Sequence, residues 1–451
     1  MQIPAPPVVP PRTRVAACLN SKWCIVLVGL AIRLAVVGFL YTDQMDPSRN
    51  HWHFAFENGK IAYSIVQGHG FGSPLFENTG LTAWQTPVYP YVIAGVFLTF
   101  GTYSKASALV LLCLQSLISA LTGLPLFFAA RKTFGDRVAL YSAWAWTLFP
   151  LGIYWPAERI WPTWLATLLL TILFLMTLHF ERPVGLSAWV GYGALWGFAS
   201  LTEPVLLTVL PVMLGWIGIR LLEQKERWFA PLAVVSLVFF LCVSPWFVRN
   251  YEVFHRFIPF RDSLGLELRV GNNGDTSYWN PCSLGSALTH KIGPWHNDAE
   301  FQKFKQIGEL AYMQESKEKA MAFIRANPRW FAIVTLRRIV FIWTHFWSFS
   351  PYYLAQEPDD PVNIVFSTMF TLLTMIGLGR AFRQNKPVAV LYFLVFLLLP
   401  LPFYVTHVED HYRRQIDPLM LILAVYGVMG FVRLKRTPIP VPSHGIQGQL
   451  K

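Results

Sequence analysis

Charged residues are scarce in this chain. Asp, Glu, Lys and Arg make up 14% of its 451 residues, against about 25% in a typical soluble domain. Such a chain cannot cover a large water-facing surface. The alternating segments of an outer-membrane barrel are absent too, which leaves helices. Cys18, Cys24, Cys113, Cys242 and Cys282 are scattered, so no disulfide framework is implied and no pair has metal-ligand spacing. There is no P-loop, no G-x-S-x-G and no H-E-x-x-H. Nucleotide hydrolysis, serine hydrolysis and zinc-protease chemistry therefore lack their usual machinery. No small-residue cleavage site follows the first apolar run, which reads as a retained helix.

What the chain has is hydrophobic length. It is 54% hydrophobic, with a mean hydropathy of +0.41. Many runs reach the roughly 18–20 apolar residues that span a bilayer. The 18 Trp and 17 Tyr suit aromatic belts at the membrane faces. These features predict an all-α polytopic membrane protein of about 10–12 transmembrane helices, with interfacial helices and two large outer loops. The net charge of +12 fits cytoplasmic loops that fix topology better than a nucleic-acid partner.

Topology follows from where Lys and Arg fall. Residues 1–22 form a cytoplasmic tail. A membrane module covers 23–248 and includes an outer loop at 42–86. A large outer loop, 249–329, holds one amphipathic helix over 299–326. Membrane helices fill 330–436, and 437–451 return to the cytoplasm. The runs 138–154 and 387–404 read as single spans. The short run 87–101 is placed in the interface, because a crossing there would put Arg131, Lys132 and Arg137 outside. Arg33 inside the first span, and Arg337 with Arg338 inside 330–346, must face protein or water.

Candidate chemistry gathers in the outer loops. Glu57 lies in HFAFENGKIAYSI, a short amphipathic helix, where it could serve as a general base or be a solvated surface acid. Asp43 and Asp46 close the first span. His51 and His53 stand two apart, not on one helical face. The sequence assigns no cofactor and leaves a divalent metal open. Glu158 and Glu203 end spans on the outer side, where they could meet substrate or pair with a neighbour such as Arg159. Arg249, Arg256, Arg261, Arg413 and Arg414 are outer arginines that topology does not need. Their planar forks suit phosphate, and lipid headgroups are the alternative. His407, His411 and Asp417 share the loop of Arg413 and Arg414. Asn272 and Asn273 follow Gly271 in a turn that could face a sugar or be a turn only.

Several stretches in order carry a resemblance: IAYSIVQGHGF at 61–71, TPVYPYVIAGVFLTFG at 86–101, PWFVRNYEVFHRFIPFRDSLGLELRVGNN at 245–273, IGELAYM at 307–313 and YRRQIDPLMLILAVYG at 412–427. The chain resembles the bacterial family 39-type membrane glycosyltransferases of the C-fold. That group includes protein O-mannosyltransferases and the lipid A aminoarabinose transferase. The resemblance implies transfer of a sugar from a polyprenyl-phosphate donor to a protein, lipid or glycan acceptor. The site would face the periplasm from a bacterial inner membrane, with membrane lipids around it. An acid of the first outer loop would activate the acceptor. Glu57 takes that place, with Asp46 as substitute, because HWHFAFE stands where the family has an Asp-Glu pair. Arg249 and Arg413 or Arg414 would hold the donor phosphate. A transporter or flippase is the rival reading, and it would need ionisable residues at mid-membrane that only Arg33 supplies. A polymerase-like enzyme of the O-antigen ligase kind would have a short first loop, unlike this one.

Overall fold

The computed structural model describes residues 21–40, 54–181, 184–276, 292–345, 354, 360–409 and 411–431. Among these residues the structure is helical, apart from one isolated antiparallel bridge between Gly72 and Leu81. Helix α1 (Lys22–Phe39) leads into the first polar region, which holds α2 (Phe56–Val66) and α3 (Val88–Phe100). Helices α4 (Lys105–Leu121) and α5 (Gly123–Phe134) make one long span. Then come α6 (Asp136–Thr147), α7 (Pro150–Glu158), α8 (Thr163–His179) and α9 (Leu186–Thr202). A 3-10 turn, Pro204–Val209, opens α10 (Leu210–Glu223), and α11 runs over Phe229–Phe254. The outer region holds α12 (Leu264–Gly271), α13 (Asp298–Ile307) and α14 (Glu309–Ala326). Helices α15 (Pro328–Thr344), α16 (Asp360–Gln384), α17 (Lys386–Leu398), α18 (Leu401–Val405) and α19 (Asp417–Phe431) complete the set. Seven helices among the described residues are long and apolar enough to cross a membrane, and α3 and α8 are shorter apolar helices.

Three expected single helices are broken, each for a local reason. The run 138–154 divides before Pro150, which starts α7 because proline has no N–H to give a preceding turn. The run 387–404 turns at Pro400 yet stays one candidate span, Lys386–Val405. The amphipathic stretch 299–326 divides at Gly308, whose φ of 78° ends a helix at little steric cost. Cys24 is also disulfide-bonded, where the sequence had implied no disulfide framework.

Arg33 is fully buried and ties four helices together. Its Nε donates to Ser119 Oγ and Gly152 O, both at 3.0 Å. Nη1 donates to Gly29 O and Thr147 O, and Nη2 to Trp146 O. An arginine inside a span is tolerated when protein carbonyls replace water. Arg33→Met would remove these five contacts and leave Gly152 O and Trp146 O with only Ser119 Oγ and Phe149 N–H. We expect a loss on the order of 3 kcal/mol, read as a lower melting temperature in detergent. Elsewhere, Gly193 and Gly197 lie against Val235 O and Cys242 of α11, with no room for a Cβ. This is the small-x-x-x-small spacing that lets membrane helices approach closely.

The two ends of the helix bundle differ in charge. At one end Lys132 meets Glu181 at 2.6 Å and Arg131 meets Asp136 at 2.6 Å, while Arg380 bonds Tyr426 O. Helix α8 runs to that end from the other, where Thr167 reaches Arg414 O, and α9 returns to the opposite end at Thr202. Helix α3 does not cross. Thr86, just before it, bonds Thr202 O at 3.1 Å, and Phe97 near its other end stacks on Phe54 at 5.4 Å beside α2. Both ends therefore face one side.

On that side the two outer regions form one lobe. Trp84 is buried against Phe304 and Trp295, and Lys305 pairs with Glu77. Glu309 accepts from the Thr82 hydroxyl at 2.5 Å and from Ala83 N–H at 2.7 Å. Asp262 N–H donates to Ala83 O at 3.1 Å. The carboxyls of Asp262 and Glu309 are both buried and repel one another. Burial pushes Asp262 up to about 6. It also holds Glu309 well above the usual carboxylate range, helped by Asp262. Raised carboxyls weaken a fold as pH climbs past their unfolded values near 4. Glu309→Gln keeps an acceptor for Ala83 and removes the repulsion. It should therefore melt higher than the parent at pH 8, with the gap closing toward pH 5.

Candidate functional site

The site begins with a strained turn. Ala55 and Phe56 have φ of 62° and 49°, a left-handed conformation that costs non-glycine residues energy and clusters at functional positions. Packing holds them there. Phe54 is buried and stacks on Phe97 and Tyr103, Gly59 lies against Phe54 O with no room for a side chain, and Phe56 meets Trp161 edge-on at 5.0 Å. The turn delivers Glu57 to the first turn of α2, half-buried. Burial pushes its carboxyl up to about 7. Glu267 acts in the same direction, and Arg261 pulls the other way.

Arg261 is the cation of the site. It sits between α11 and α12. Burial alone would lower its pKa, but Glu203, Glu267, Tyr412 and Glu57 together hold it above its ordinary value. Glu203 ends α9 in extended backbone. Burial raises its carboxyl, against the pull of Arg261 and His411. Four segments far apart in sequence thus converge: the start of α2, the end of α9, the stretch from 261 to 267, and the last outer loop. From that loop His411 lies edge-on to Trp161 at 4.9 Å, and Tyr412 bonds His407 at 2.9 Å.

Other expected site residues serve the scaffold. Arg249 donates to Thr82 O at 2.7 Å and to Phe71 O at 2.8 Å, also meets Asn250 Oδ1 at 2.9 Å, and lies over Phe71, Trp246 and Phe254. It clamps the first outer loop to α11. Asn272 donates to Leu268 O and Val405 O, and accepts from Arg338. Asn273 caps the turn at Asp275 and Thr276. Glu158 pairs with Arg159 at 3.3 Å. Arg413 and Arg414 are buried and share Asp417; Arg413 also reaches Ile342 O and Trp343 O. The same two arginines line a cleft of about 10 Å³ with Glu409, His345 and Ser367. Asp46, His51 and His53 lie outside the described residues. Sequence reasoning counted Arg261 among five outer arginines suited to phosphate or lipid headgroups without singling it out, and passed over Glu267 altogether. Among the described residues no group of three or more His, Cys, Asp or Glu is placed to hold a metal ion.

The chain shares its fold with a solved archaeal oligosaccharyltransferase. The oligosaccharyltransferase of Archaeoglobus fulgidus, in its apo form, matches over 91% of this chain with 12% identity and a TM-score of 0.53. The same enzyme in complex with an inhibitory peptide and a dolichol-phosphate also matches over 91% of the chain, at 12% identity and a TM-score of 0.53. This chain spans about half the length of those structures, covering 50% of each. ArnT from Cupriavidus metallidurans bound to undecaprenyl phosphate aligns over 89% of this chain and 76% of its own. Its identity is 14% and its TM-score 0.41, too low to bear on the fold. By sequence, residues 84–248 match the family described as dolichyl-phosphate-mannose-protein mannosyltransferase. No curated protein matches the chain.

Proposed function

We propose that this chain is a glycosyltransferase moving a sugar from a polyprenyl-phosphate-linked donor to an acceptor. The acceptor is a protein, lipid or glycan on the periplasmic side of a bacterial inner membrane. One observation carries the reading: Glu57, whose carboxyl burial pushes up to about 7, lies within the field of Arg261 at the bundle end opposite Lys132 and Glu181. The family match points to a lipid-linked sugar donor. The fold-mate's complex with a peptide and a dolichol-phosphate supports the pairing of acceptor and lipid.

The chemistry follows from the two groups. Glu57 takes the proton of the acceptor O–H or N–H as that atom bonds to the anomeric carbon. The bond from that carbon to the phosphate oxygen breaks, and its electron pair leaves with the phosphate. Arg261 balances the charge that develops there. Glu203 and Glu267 hold the arginine in place. Transport is not favoured, because Arg33 is fully committed to helix carbonyls and a hydroxyl. The test is the purified protein in liposomes with polyprenyl-phosphate sugars. Mass spectrometry should find a new glycosidic product; flux of the lipid-linked sugar with no covalent product would sink the proposal.

A further inference from the structure

We propose that His407 is a positioning residue of this site, a brace that holds Tyr412 and Glu267 against Arg261. The proposal rests on the glycosyltransferase reading above. His407 is buried in the last outer loop. Its Nε2 lies 2.9 Å from the Tyr412 hydroxyl, and its Nδ1 lies 3.4 Å from Glu267 Oε2. A neutral imidazole has one N–H and one lone pair. With its proton on Nδ1, beside Glu267 in a charge contact that is not a hydrogen bond, the ring leaves Nε2 free to accept the phenol proton, so one tautomer suits both neighbours. Glu409 stands 3.8 Å from Nε2, outside hydrogen-bond reach. Both ends of the brace are electrostatic neighbours of Arg261. The Tyr412 ring lies flat on Phe403 at 4.0 Å and edge-on to His411 at 4.7 Å, which restricts its swing.

Charged and titratable groups face the imidazole from three elements: Glu267 on α12, Arg338 on α15, and Glu409, His411 and Tyr412 on its own loop. Burial disfavours the imidazolium, Glu267 favours it, and Arg338 and His411 oppose it; the balance lowers the pKa. The neutral ring that the brace requires is therefore the stable form at neutral pH. A protonated ring would have no lone pair for Tyr412. The consequence for catalysis is preorganisation: Arg261 meets the leaving phosphate without first recruiting its own partners.

The test is a double-variant cycle. His407→Phe keeps a flat ring but bonds to neither neighbour, and Tyr412→Phe removes only the phenol oxygen. Each should lower kcat by about 100-fold with KM little changed, and the double variant should be no worse than His407→Phe alone. His407→Gln, which can donate and accept at once, should recover about tenfold of that loss. Unchanged kcat in His407→Phe, or losses that multiply in the double variant, would overturn the brace. If the parent protein transfers no sugar from any donor supplied, the functional reading fails separately. The same cycle is then read as melting temperature in detergent, where additive shifts overturn the brace and non-additive shifts uphold it.

Discussion

Glu57→Gln is expected to lower sugar transfer by about 1,000-fold while leaving a folded protein. The amide keeps the size and one acceptor oxygen but cannot take a proton. In the parent, kcat/KM should rise with pH through about 7 and then level, because the carboxylate is the working form and burial holds its pKa there. Stability should move the other way. The folded carboxyl binds its proton more tightly than the unfolded one, so ionising it weakens the fold as pH climbs from the unfolded value through about 7. Removing that charge should make Glu57→Gln melt higher than the parent at alkaline pH, with the gap closing in acid. An inactive variant more stable than its parent cannot be explained by misfolding. Full transfer by Glu57→Gln, or a rate flat through neutrality, would pass the role to another acid of the first outer loop, such as Asp46.

The spans were legible because run length and hydropathy are local properties. The cost of Arg33 was legible for the same reason, and its resolution in four helices followed from the physics of a buried guanidinium. The helix breaks at Pro150, Gly308 and Pro400 had local signals as well, but run length outweighed them in the reading. The candidate site was legible only in part. Glu57 stands out by its place in a polar loop after a span. Its partner does not. Arg249 and Arg261 look alike in sequence, both basic and both in the same outer stretch. Only packing shows that the fork of Arg249 is filled by carbonyls of Phe71 and Thr82, while Arg261 faces three carboxylates. Asn272 is a similar case, since its amide partners lie on α12 and α18 and no local pattern names them. Glu267 sits in a short helix whose spacing reads as an ordinary amphipathic turn.

Arg261→Met should lower transfer by about 100- to 1,000-fold and should also change the pH at which the remaining activity appears. In the parent, a backbone hydrogen bond and Arg261 pull the Glu57 carboxyl down against burial and against Glu267. Without it, Glu57, Glu203 and Glu267 face one another with no cation between them, and each holds its proton more tightly. The acid limb of the residual rate should therefore move above 7. Arg261→Lys keeps the charge but loses the planar fork that matches phosphate. It should leave the limb near its parent position and lower kcat by about tenfold. Arg249→Met gives the contrast: its loss frees the loop from Phe71 to Thr82, so the melting temperature should fall while the limb stays where it was. A limb that does not move in Arg261→Met would mean that the arginine and Glu57 do not share a field, and the pairing on which the proposed chemistry stands would be lost.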